Sequence, residues 1–292
     1  MESLKLIHLQ NLMNQTSGSS VIRIGLIDGP ILINHHKLNS GNIHEIPKGL
    51  SGSCSISNSV ACSHGTFIAG MLVAKRDFNI PAICPDCTLL IRPIFSEHLQ
   101  NNESIPSTTP KELAKAIMDC IDEGAKLINL SLALANPNSK VERELEDVLN
   151  YAANRGVIIV AAAGNQGLVG SIAITRHPWV IPVIACNRLG NPMQLSNLSN
   201  SIGRKGFSAP GENITSIGTN NQLVSFSGTS VAVPFVTGTI ALLWSLFPKL
   251  TASEIKYAIH INNNRRHLIP PLINPITALE YLNSNFKQKA VI

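Results

Sequence analysis

The chain has 292 residues, 44% of them hydrophobic and only 4% aromatic, with 23 basic against 18 acidic residues and a net charge of +5. That size and composition suit one large α/β domain with an aliphatic core. The mild charge, with no basic run and no basic–aromatic stripe, argues against a nucleic-acid partner, and no segment has the uninterrupted apolar length of a membrane span.

The first 15 residues are amphipathic, and His8, Gln10 and Asn11 break any signal-type apolar region, so the chain as given reads as cytoplasmic. After a polar link at 14–20, residues 21–27 (VIRIGLI) form a short apolar, β-rich run that predicts a buried strand. It ends at Asp28-Gly29-Pro30, a strong turn signal. Residues 39–63 are rich in Gly, Ser and Asn and read as loop, with a short strand at 43–46. A helix opens at Ser63-His64 and runs to Ala74. A strand follows at 89–94, then a polar loop at 97–109. Pro110 starts a helix to Glu123, with apolar positions at 113, 117 and 121, and Gly124 stops it. Strands are expected at 126–130, at 157–161 and at 180–185, the last interrupted by Pro182; a charged helix at 139–155 separates the first two. The stretch 187–225 reads as short β runs and turns. An apolar helix follows from Val231 to Phe247, then helices near 252–261 and 275–282. Helix and strand alternate up to about residue 161, which predicts a three-layer α/β fold: a mainly parallel central sheet with helices on both faces. Functional groups in such sheets collect beyond the carboxyl ends of strands. The expected limits are an N-terminal extension at 1–20, one domain at 21–285 and a tail at 286–292.

Six cysteines occur, at positions 54, 62, 84, 87, 120 and 186. Free buried thiols are the default. The Cys84-Pro-Asp-Cys87 pair does not open a helix after a strand, as a redox motif does. A zinc site from Cys54, Cys62, Cys84 and Cys87 would need an unusually wide first pair. A disulfide within Cys54/Cys62 or within Cys84/Cys87 is the stronger reading, and spacing does not choose between them.

Four residues carry potential chemistry. Ser230 stands in FSGTSVAVP, between a turn and an apolar helix, where helix N–H groups favour negative charge. Most serines there are only N-caps. Asp28 ends a strand, as an ordinary turn aspartate does. His64 lies in SHGTFIAG at a helix start, and Asn165 lies between glycines in AAAGNQG. Each is weak alone. Together they offer a nucleophile, a base, an acid to orient the base and a second oxyanion donor.

The blocks LIDGP, SHGTFIAG, NLSLA, AAAGNQG, FSAPGENI and SGTSVAVP resemble, in order, the hallmark blocks of the subtilisin-like serine proteases, over roughly residues 20–250. The Asp–His–Ser order is that of subtilisin, and G-T-S-V-A is not the G-x-S-x-G of an α/β-hydrolase. The resemblance implies a catalytic triad of Asp28, His64 and Ser230, with Asn165 as oxyanion donor. It also implies a substrate strip at Ser131, Leu132 and Ala133, and a pocket wall at Ala161, Ala163 and Gly164. His35, in NHHKL, matches a histidine that is structural in relatives. Two departures stand out. Gly29-Pro30 replaces the usual hydroxyl residue after the aspartate, and NLSLALAN lacks the usual Gly after Ser-Leu. No calcium loop of D-x-D type is evident, so no cofactor is expected, and Asp28 stands too early for a folding prodomain.

LIDGP, CPDCTLLIRPIFSE and the early Asp28 look like the subtilases of cyanobactin biosynthesis, which act on ribosomal precursor peptides. One kind removes the leader; the other cuts the follower and cyclises the core, and carries a sizeable helical insertion. Only 36 residues separate Asp28 from His64, too few for that insertion, so the leader-cleaving kind is expected. The expected partner is a peptide, with no nucleic acid and no membrane. The competing readings are a general subtilase, which a neighbouring precursor-peptide gene would distinguish, and an inactive binding protein, which would leave Ser230 unlabelled by a fluorophosphonate.

Overall fold

A computed structural model describes residues 1–76, 79–97, 108–131, 142–261 and 268–286. Its centre is a seven-stranded parallel sheet built from β1 (Arg23–Ile27), β2 (Ile43–Glu45), β3 (Thr88–Ile91), β4 (Leu127–Leu130), β5 (Ile158–Ala162), β6 (Ile181–Cys186) and β7 (Phe207–Pro210), in the order β2-β3-β1-β4-β5-β6-β7. The strands read as continuous apolar runs because both sheet faces are covered. Ile24, Leu26, Leu127, Ile158 and Val160 point into one core; Ile27, Ile128, Leu130, Ile159 and Ala161 point into the other.

The first core is covered by α3 (Val60–Val73), α8 (Thr229–Leu246), α9 (Ala252–His260) and α10 (Pro275–Phe286). Two short N-terminal helices, α1 (Glu2–Leu6) and α2 (Leu9–Met13), join it: Leu4, Ile7, Leu9 and Leu12 are buried there, and α2 packs on α8 and α10. Residues 4–13 of the expected N-terminal extension thus pack on the first core. The second core lies under α4 (Pro110–Asp122) and α5 (Glu142–Asn154). Thr109 caps α4 and shares a reciprocal capping box with Glu112, ahead of Pro110 at the first helical position.

Chain direction across the sheet reverses at β1. β2 and β3 lie to one side, and β4 to β7 follow on the other. The crevice beyond the carboxyl ends of β1 and β4 is therefore the topological switch point. Asp28 follows β1, Ser131 follows β4, and Asn165 lies three residues beyond β5.

Three expectations are corrected. The helix bearing His64 begins at Val60, not Ser63; Ser59 caps it by accepting the Cys62 N–H at 3.1 Å. The polar segment before it hid this cap. Pro182 does not interrupt β6, because it sits one residue before the β6–β7 ladder opens at Val183↔Phe207, so no N–H is needed there. The stretch 187–225 also contains a helix, α7 (Asn200–Lys205), while its expected short β runs form an antiparallel hairpin of β8 (Ile214–Ile217) and β9 (Leu223–Phe226); a further short helix, α6 (Ala173–Arg176), precedes β6. The expected residues 139–141 of the charged helix, and Leu132 and Ala133 of the substrate strip, lie outside the described residues.

Among the described residues α8 alone is long and apolar enough to cross a membrane, but 83% of its 18-residue span is buried inside the protein. It runs through the main core.

Candidate active site

α3 and the turn after β1 touch backbone to backbone. A Cβ on Gly29 would lie 2.1 Å from the Ala61 carbonyl oxygen, and one on Gly65 would lie 2.5 Å from that of Pro30. Only glycines allow this approach. It brings His64, in the second turn of α3, onto Asp28. In the tautomer that satisfies both ring nitrogens, His64 Nδ1–H donates to Asp28 Oδ1 at 2.7 Å, and Nε2 accepts from the Ser230 hydroxyl at 3.2 Å. Asp28 is fully buried, while the His64 side chain keeps 26% exposure. Asp28 Oδ1 also accepts the Gly29 N–H at 2.7 Å, whereas Oδ2 is buried with no partner among the described residues. Burial acts to lower the His64 pKa, but the Asp28 charge and hydrogen bond outweigh it and hold the imidazole above 6.5.

Ser230 is the second residue of α8. Gly228 caps that helix at φ +141°, a conformation few other residues adopt. Amides in the first helical turn have no intrahelical acceptor, so the Ser230 N–H stands at a helix start as an oxyanion donor requires. Asn165 is fixed by a residue the sequence did not single out: Thr229 donates both its N–H and its hydroxyl to Asn165 Oδ1, each at 2.9 Å. This leaves Nδ2 as the free donor of an exposed amide. The Thr229 hydroxyl in turn accepts the Gly164 N–H at 3.3 Å. Phe226, at the end of β9, lies 6.4 Å from the His64 ring and 4.6 Å from Phe67.

The residues assigned to substrate contact fall into two groups. Ala163, Gly164 and Ser131 are buried at the ends of β5 and β4, beside the nucleophile helix. Ala161 lies within β5, paired to Leu130 and Pro182 and 1% exposed, so it is a core residue and not a pocket wall. His35 is likewise internal. Its Nδ1 accepts the Lys37 N–H, and burial first, then the His36 and Lys37 charges, lower its pKa.

Cys54 and Cys62 form a disulfide, with Cα atoms 5.7 Å apart, while Cys84 and Cys87 remain buried thiols. That removes the four-cysteine zinc site, because two of its four sulfurs are bonded to each other. Cys62 is on the first turn of α3. Cys54 N–H donates to the Ile31 carbonyl, just past Asp28. Glu97 braces the intervening loop by accepting the Ser55 and Ile56 N–H groups, both at 2.9 Å.

Residues 19–286 match the model of the subtilase family, peptidase S8, and the chain belongs to that family. It is 32% identical over 198 residues to the thermostable alkaline protease of Halalkalibacterium halodurans, covering 68% of this chain and 51% of the relative. The chain spans about half the length of such curated relatives. Among solved structures, a variant of the protease domain of PatA superposes with a TM-score of 0.81 at 27% identity, covering 91% of this chain and 97% of that one. The prenylagaramide maturation protease PagA gives 0.80 at 27% identity, covering 94% and 98%.

Proposed function

We propose that this chain is a serine endopeptidase that removes the leader from a ribosomal precursor peptide. The observation that carries the chemistry is the hydrogen-bonded line from Asp28 through His64 to Ser230, at 2.7 and 3.2 Å. Ser230 Oγ attacks the scissile carbonyl while His64 Nε2 takes its proton. Asp28 holds the imidazole by Nδ1–H and stabilises the imidazolium. The Ser230 N–H and Asn165 Nδ2 hold the oxyanion. As the C–N bond breaks, His64 returns the proton to the leaving amine. Water, deprotonated by the same histidine, then hydrolyses the acyl-enzyme. An extended peptide would run past Ser131 at the end of β4 and past 163–164.

The substrate class rests on the likeness to PatA and PagA, the latter named a maturation protease. The short interval from Asp28 to His64 favours a linear product over a cyclised one. Mass spectrometry of a candidate precursor peptide after incubation tests this, with Ser230→Ala as control. A linear leader plus a linear remainder is expected. A cyclised core would assign the chain to transpeptidation. Cleavage of unrelated peptides with the precursor left intact would make it a general protease.

A further inference from the structure

In an α-helix the carbonyl of residue i accepts the N–H of residue i+4. Within α8 the partner of Ser230 would be residue 234, and that residue is proline. Pro234 has no N–H, and its ring crowds the carbonyl four residues back. The nucleophile's own carbonyl is thus denied its helical hydrogen bond. The vacancy is filled from the sheet. The Ser131 hydroxyl, just past β4, donates to the Ser230 carbonyl at 3.0 Å. Its orientation is fixed in turn: Asn129 Nδ2 donates to Ser131 Oγ at 2.7 Å, and the Thr237 hydroxyl donates to Asn129 Oδ1 at 2.9 Å. Asn129 and Thr237 are fully buried, and Ser131 is 3% exposed. Donors and acceptors run one way, from Thr237 through Asn129 and Ser131 to Ser230, so each hydroxyl proton is assigned by the next acceptor.

We propose that Thr237, Asn129 and Ser131 are positioning residues for Ser230, forming a buried hydrogen-bonded chain that replaces the bond Pro234 withholds. The inference rests on the reading of Ser230 as nucleophile. The chain starts and ends on α8, with Thr237 two turns beyond Ser230, and passes through the end of β4. It therefore locks the nucleophile's turn to the segment expected to carry substrate. A strained or rotating first turn would misdirect both the Ser230 hydroxyl and its N–H, and misplacement of reacting groups lowers turnover more than binding.

The test is the rate of fluorophosphonate labelling of Ser230, with kcat and KM on a peptide. Ser131→Ala and Thr237→Val are each expected to lose about tenfold in labelling and kcat, the scale of one hydrogen bond, with little change in KM. Thr237→Ser, which keeps the hydroxyl, should retain the wild-type rate. The double variant should lose no more than Ser131→Ala alone, because both cut one chain. Pro234→Ala restores the helical N–H, so Ser131→Ala should cost less in that background. Equal loss with and without Pro234, or multiplicative losses in the double variant, would overturn the proposal. Unchanged labelling of Ser131→Ala would do the same. Wild-type enzyme that resists labelling would instead overturn the serine-protease reading itself.

Discussion

The Ala61 carbonyl oxygen stands 2.1 Å from the place a Cβ on Gly29 would occupy. This contact sets how closely α3 approaches the end of β1, and so how His64 meets Asp28. A serine at position 29 has no room. Gly29→Ser is expected to push α3 outward, at a cost of about 1–3 kcal/mol in stability, and to lower kcat by lengthening the Asp28–His64 bond. Thermal melting and steady-state kinetics check this; wild-type melting and turnover would show that the contact is slack.

The raised pKa of His64 makes activity and stability move in opposite directions with pH. Catalysis needs the neutral imidazole, so kcat/KM should rise with pH through a midpoint above 6.5. A histidine whose folded pKa is raised contributes stability that is fully present below its unfolded value and is lost as pH rises through the folded one. Denaturant unfolding of Ser230→Ala on either side of that midpoint should show this His64 contribution on the acid side only. Replacing Asp28 by Asn in the same background should remove it; an unchanged pH dependence would show that Asp28 does not set the histidine pKa.

Asn165→Ala is expected to reduce kcat by about 10²–10³, the worth of one oxyanion donor. Thr229→Val removes one of the two hydrogen bonds that aim the Asn165 amide, and a loss of about tenfold is expected. KM should change little in either case. A KM effect without a kcat effect would place Asn165 in ground-state binding.

The parallel sheet was legible in the alternation of apolar strand runs and helices, whereas Asp28, His64, Ser230 and Asn165 are each weak alone and were read together only through their order and the resemblance of the blocks around them. What supports them was not legible. Thr229 reads as a helix-start threonine until the fold brings the β5 loop against it. Ser131 reads as a substrate contact through its backbone, yet its side chain faces Ser230, 99 positions away. Ser59 was hidden in a Ser- and Asn-rich loop, so the start of α3 was misplaced by three residues. The Thr229 and Ser131 roles depend on contacts between segments 64 and 99 positions apart, which local pattern does not encode.

The Cys54–Cys62 disulfide closes a segment of sequence separation 8. On the chain-entropy account such a short loop stabilises the fold by about 2–3 kcal/mol. Cys54→Ser is expected to lose that amount and, because the loop joins Ile31 to the first turn of α3, to lower turnover as well. Chemical denaturation of the oxidised wild type against Cys54→Ser measures the first effect, and peptide kinetics the second.

The depth of α8 also decides when the nucleophile can be disordered. Its residues from Val231 to Trp244 are buried, including Phe235, Ile240 and Leu243 at 0% exposure. An element with that many buried contacts opens only when the whole molecule does, whereas edges and exposed turns open locally. Amide protons in the buried body of α8, from Phe235 to Trp244, should therefore exchange with solvent only through global unfolding. Heat or mild denaturant should then end turnover at Ser230 together with the loss of the fold, because the helix behind it does not melt on its own.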